Sequence, residues 1–196
     1  TGPYHRQQYM FRMLEGKAKS FDAFTHNPLG RRIPQIISQF VMGKGVVAEF
    51  SDPRAQQLWD EFAKFNRIGT SRGGIQRGAS RLRTWCMMQS VDGESMFQFV
   101  ETPQMLQVKC IDTATVLDIV SNPEDINEVY FYHQQYMGPY NMYPVPGIPT
   151  THYIIRQLPA PEVEHIKLNC FDNEKRGRGD MYNVVGWLKR LRDLIT

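Results

Sequence analysis

Cysteine is scarce in this chain. The three present, Cys86, Cys110 and Cys170, are odd in number and far apart. They draw no disulfide framework and fit reduced thiols in a cytosolic setting. Long apolar runs are missing too: nothing approaches the roughly 18 residues that a membrane span needs. The opening TGPYHRQQYM carries no apolar signal-peptide core. Charge of one sign is also lacking. With 23 Lys and Arg against 20 Asp and Glu, the net charge is +3, which permits a local basic patch but makes no general case for nucleic-acid binding. Close C-x₂₋₄-C or H-x₃₋₅-H spacing is absent, so His133, His152, His165 and the cysteines form no recognisable metal site. There is no G-x-S-x-G elbow to present a nucleophile. Gly43-Lys44-Gly45 has no following Ser or Thr and comes after a helical pattern, so it reads as a helix end and not as a phosphate-binding loop. Asp92 and Glu94 flank a glycine that already explains the aspartate as a turn residue. No catalytic residue, metal or cofactor is therefore expected, and neither internal repeats nor low-complexity tracts occur.

What is present is enough apolar content, 41%, for a proper core, in a length that fits one domain, or one domain with an appended element. The stretch 71–100 organises the reading. Ile75, Ala79, Leu82 and Cys86 form a helical stripe, with Arg72, Arg77, Arg81 and Arg83 mostly off it as a cationic face. Asp92-Gly93 between two apolar runs predicts a type I′ hairpin, with Met96, Phe97, Phe99 and Val100 as the return strand.

Before it, 4–18 predicts a helix, and Phe21 and Phe24 predict anchors in a short connection. Asn27-Pro28 predicts a helix start. Ile33, Ile36, Ile37, Phe40 and Val41 predict a core-facing helix that Pro34 kinks or begins, and 46–50 a short strand. Asp52-Pro53 predicts a second capped start, with Ala55, Leu58, Trp59, Phe62 and Phe65 as the apolar face. After it, strands are expected at 106–110, 116–120, 129–136, 153–157 and 162–168, the 129–136 and 153–157 pair lying together. Between those two lies a Pro- and Tyr-rich extended loop at 137–150. Asn173 to Gly179 predicts a polar turn. Asp180 predicts the cap of a final helix with Val184, Leu188, Leu191 and Ile195 on one face. The expected fold is α+β: helices packed on a small, mostly antiparallel sheet, with the start of a long helix at the end. The first residue is not Met and the last lies inside a helical pattern, so a fragment of a longer protein is expected.

Three blocks carry a resemblance. HNPLGRRIPQIISQFVMGKGV, with its Asn-Pro start and V-x-G-x-G-V exit, resembles an early helix of tailed-bacteriophage portal proteins. RLRTWCMMQSVDGESMFQFV resembles that family's next block, a helix running into a "DGE" hairpin and an aromatic strand. LPAPEVEHIKLN, through Leu158, Pro159, Ala160, Val163 and His165, followed by Gly177 and Gly179, is similar to the family's strand ahead of a glycine-bearing turn and a helix. The blocks come in the family's order.

The resemblance implies a non-enzymatic structural subunit of a homo-oligomeric ring, typically of twelve copies (a dodecamer), at one vertex of a capsid. Double-stranded DNA would be packaged and ejected through its channel. The partners implied are the packaging motor (terminase), the capsid protein and head-completion or adaptor proteins, with no membrane. The location implied is the virion, after assembly in the host cytoplasm. Residues 1–176 would be the wing-like domain and 177–196 the start of a stem-like helix. Expected subunit-interface residues are Arg77, Arg81, Arg83, Tyr140 and Tyr143. Expected DNA-proximal residues are Arg176, Arg178 and Lys189. The alternatives are a stand-alone basic nucleic-acid-binding module or a nucleic-acid-processing enzyme.

Overall fold

The computed structural model describes residues 3–43, 48–68, 77–137, 153–172 and 174–195. Among the described residues the fold is α+β, with five α-helices and two three-stranded antiparallel sheets. The helices are α1 (Pro3–His26), α2 (Pro28–Met42), α3 (Pro53–Asn66), α4 (Arg77–Asp92) and α5 (Met181–Ile195). The first sheet runs β2 (Leu106–Ile111), β1 (Glu94–Glu101), β6 (Val163–Lys167). The second runs β3 (Val116–Ser121), β4 (Val129–Met137), β5 (Tyr153–Pro159).

Helix starts follow their capping chemistry. The Asn27 side chain accepts from the N–H groups of Leu29 and Gly30 at 3.0 and 3.1 Å, and Asp52 accepts from Arg54 N at 2.9 Å. Each is followed by a proline whose missing N–H costs nothing at that position. Two sequence expectations in this half are corrected. Phe21 and Phe24 sit inside α1 and not in a connection, because the helix runs on to His26, where the Asn27 cap takes over. Residues 48–50 form no strand; Gln56 holds them, accepting from Phe50 N and donating to Ala48 O.

A third correction concerns Asp92-Gly93. Helix α4 continues through Asp92, Gly93 N donates to Gln89 O at 2.8 Å, and Gly93 has φ +81°. The pair is a helix end feeding directly into β1, not a hairpin. Both uses need a residue at positive φ, so the local sequence is the same for each.

Strand β1 is buried on both faces. Met96 joins Ile111, Val116, Ile119, Tyr132, Leu158 and Val163 in a core between the two sheets. On the other face Phe97 meets Trp85 of α4, ring centroids 4.7 Å apart. A second core gathers Ala23, Val91, Met181, Val185 and Leu188 from α1, α4 and α5, with Ile33 of α2 against it. The order of layers is thus helices, first sheet, second sheet.

The outer edge of β2 is closed by side chains. Asn66 donates from Nδ2 to Leu106 O at 3.0 Å and accepts on Oδ1 from Val108 N at 2.7 Å. Its primary amide copies the donor–acceptor pair of a neighbouring strand. Arg81 adds Nη2 to Val108 O at 3.1 Å and a second bond to Asn66 O. Such blocking removes a template for strand addition. Asn66→Ala leaves the buried Val108 N–H without its partner, and the expected loss is about 2–3 kcal/mol, read in urea unfolding. An unchanged midpoint contradicts the assignment.

Candidate functional site

The most highly charged buried point is Glu94, the first residue of β1. Its carboxylate is fully enclosed. Oε1 accepts from Lys17 Nζ of α1 and from Arg176 Nη1 at 2.6 Å; Oε2 accepts from His165 Nε2 of β6 at 3.1 Å and from Gly177 N at 3.2 Å. Arg176 also donates to Thr113 O at 3.1 Å and to Val116 O. Burial by itself raises a carboxyl pKa. Here the His165 hydrogen bond and the Arg176 and Lys17 charges outweigh it and hold Glu94 well below the usual carboxylate range. The Lys17 pKa is lowered too, but in a lysine that disfavours the charged form: burial lowers it, and the attraction of Glu94 only partly compensates. The pair is thus unequal. Glu94 is secured by four donors, while Lys17 donates to this carboxylate and has only the more distant attraction of Asp92 besides. Asp92 nearby is raised by burial and accepts from Thr113 Oγ1 at 3.3 Å.

The cluster ties together elements that are far apart in sequence. Both carboxylate oxygens of Glu94 are satisfied, by four donors from three segments: α1, β6 and the 176–177 stretch. His165 is fixed further by Tyr132, edge-on at 5.7 Å between centroids. Among the described residues no group of His, Cys, Asp and Glu could hold a metal ion, and no helix is long and apolar enough to cross a membrane. Cys86, Cys110 and Cys170 are free thiols.

The segment carrying Arg176 is placed by glycine. A Cβ on Gly177 would lie 1.9 Å from Gly93 O, and one on Gly179 would lie 2.1 Å from Val91 O. Leu168 N donates to Gly93 O at 2.7 Å, and Arg178 N to Leu168 O at 2.8 Å. The stretch read as a polar turn is therefore packed backbone to backbone on the α4–β1 junction. The boundary expected between 176 and 177 runs through it.

The site residues expected from sequence fall in different places. Arg176, expected near DNA, is corrected: it is 1% exposed and committed to Glu94, Thr113 and Val116. Arg178 is paired with Glu174. Lys189 is exposed on α5. Arg81, expected at a subunit boundary, spends its donors inside the chain, on the β2 edge, and lies 4.7 Å over Trp85. Arg83 donates to Gly43 O, tying α4 to the end of α2. Arg77 lies in the first turn of α4. Tyr140 and Tyr143, with the 138–152 stretch including His152, lie outside the described residues, as do Arg72, Ile75 and Lys44-Gly45.

The uncovered surface is apolar and helical. In α2 the residues turned inward are the small ones, Gly30, Pro34 and Ser38, at i, i+4 and i+8. A Cβ on Gly30 would be 2.4 Å from Ala23 O, so α2 sits too close to α1 for a large side chain between them. Leu29, Ile36 and Phe40 point out, Phe40 being 86% exposed. This corrects the core-facing reading for Ile36, Phe40 and Val41, while Ile33 of the same stripe does pack against the helical core. In α5, Met181, Val185 and Leu188 are buried while Trp187, Leu191 and Leu194 form a second, exposed stripe, at 68%, 41% and 83%. In α3, Ala63 and Asn66 face inward and Leu58 and Phe65 outward. Composition-based reading missed this because an apolar stripe looks the same whether it faces a core or a partner.

Comparison with protein-family models finds no match, and comparison with curated proteins finds none either.

Proposed function

We propose that this chain is a wing-like piece of a portal subunit, a non-catalytic building block of a homo-oligomeric ring at the capsid vertex through which DNA is packaged and ejected. The observation that carries the reading is the exposure of large apolar side chains on α2, α3 and α5, which on α2 lie opposite small inward residues. A surface of that kind is costly to leave in water and is normal where a subunit meets a neighbour. The order of the three resembling sequence blocks supports the same reading. In a closed ring such contacts run head to tail, a different patch on each side of every copy. The packaging motor, capsid protein and head-completion proteins would be further partners, and the virion the place of work.

Light scattering and electron images of the purified protein over a wide concentration range test this. The expected outcome is a high-mass, ring-shaped species, twelve copies by the family's habit. A chain that stays monomeric and binds duplex DNA with strong salt dependence contradicts it and selects the stand-alone nucleic-acid-binding module.

A further inference from the structure

The two ends of the molecule differ in charge as well as in shape. Between Lys109 and Arg156 the sequence holds no Lys or Arg at all, but five acids: Asp112, Asp118, Glu124, Asp125 and Glu128. All five are exposed, and they lie on or beside β3 and β4. Their hydrogen bonds go to neutral groups: Asp112 to Ala114 N, Asp118 to Ile119 N, Asp125 to Asn127 N, and Glu128 to Asn122 Nδ2. The cations in this part of the fold are Arg156 on β5, exposed and opposite Gln134 of β4, the buried Arg176 at Val116 O, and Lys175, whose ammonium donates to Ile119 O. The same region exposes Leu117, Tyr130 and Ile155.

The opposite end reads the other way. Helix α2 contains Arg31 and Arg32 and no acid, and both arginines are exposed. Helix α5 adds Lys189 and Arg190, also exposed, with Asp193 as its one acid. These cations border the uncovered stripes of Leu29, Ile36 and Phe40 and of Trp187, Leu191 and Leu194. On α1 Glu15 pairs with Lys19, and Asp22 is hydrogen-bonded to His26. The two surfaces belong to different cores, one helical and one between the sheets, with the first sheet between them.

We infer that the basic, apolar face of α2 and α5 on one copy docks against the acidic, apolar face of β3 and β4 on the next copy. This rests on the ring reading above and names the two surfaces that meet. The occupant is a second copy of this chain because the excess charge of the two faces is complementary, cations predominating around one apolar patch and anions around the other. Like faces would repel, so a two-fold, face-to-itself dimer is disfavoured and a head-to-tail arrangement is selected. Charge at the borders sets register and association rate; the buried rings and aliphatic side chains supply the area.

The experiment uses charge reversal on the complete chain, read by sedimentation velocity at low and high salt. Arg32→Glu with Lys189→Glu, and separately Asp118→Lys with Glu128→Lys, are each expected to weaken self-association at least about tenfold. All four changes together are expected to restore most of it, because the complementarity is then inverted but intact. Circular dichroism checks that each variant is folded, as exposed side chains allow. Self-association untouched by either reversal overturns this assignment of surfaces and leaves the ring reading standing. Loss in both double variants without recovery in the quadruple variant also overturns it. A wild-type chain that never self-associates, while Arg32→Glu with Lys189→Glu abolishes DNA binding, overturns both readings together.

Discussion

Glu94→Gln is expected to destabilise the chain by about 3–5 kcal/mol, the cost of removing one partner from a buried charge cluster. Arg176 and Lys17 stay behind in the interior, the first 1% exposed, with no anion between them. For a chain of this size that is a fall of roughly 6–20 °C in the melting temperature. Lys17→Met is the informative partner variant. Burial already lowers the Lys17 pKa, so its charge is held at a cost, and its removal is expected to be milder because Arg176, His165 and Gly177 N still serve Glu94. Equal losses in the two variants contradict this ordering.

The cluster also fixes a pH dependence. The Glu94 pKa is lower in the folded chain than in the unfolded one. Its contribution is therefore whole above the unfolded value, about 4.3, and fades as pH falls below that towards the folded value. Melting temperature against pH should drop steeply on the acid side in the wild type, and Glu94→Gln should flatten that limb. Parallel curves remove the assignment.

Gly93→Val carries the other large expected effect. The residue sits at φ +81°, a region a β-branched side chain resists. A Cβ there would also lie 2.1 Å from Arg178 C and 2.2 Å from Gly179 N. These are backbone atoms, held by the Leu168 bonds, so the clash cannot be relieved by a rotamer change. The expected loss is roughly 3 kcal/mol or more, seen as insoluble expression or a melting curve without a cooperative transition. Gly43→Val is the control: that glycine also has positive φ but nothing within 4 Å, so only the backbone strain remains. Similar behaviour of the two variants means that strain alone matters and that the packing of 176–179 on Gly93 does not.

What could be read in advance follows from how local each signal is. The Asn27-Pro28 and Asp52-Pro53 starts were legible because a cap is written within four residues. The strand pair β4–β5 was legible from composition and its place in the order of elements. The helix-to-strand junction at Asp92-Gly93 was misread as a hairpin because both demand the same dipeptide. The apolar face of α2 was assigned inward because periodicity reports a stripe and not its partner; Gly30, Pro34 and Ser38 were the overlooked sign, a row of small residues marking close approach. The Glu94 cluster was not legible at all. Its carboxylate meets side chains 77, 71 and 82 positions away, and Lys17, His165 and Arg176 each look ordinary in their own neighbourhoods.

That separation has a consequence for synthesis. A ribosome delivers Lys17 first, Glu94 next, His165 later and Arg176 last of the four. Until the final one has left the exit tunnel, β1 has a carboxylate to bury and only one or two of its counter-groups. The sheet core around Met96 therefore cannot close ahead of the stretch that carries Arg176 and Gly177 without stranding an anion. Vectorial folding is held back, and the helical N-terminal half waits for a latch that emerges 82 residues after Glu94.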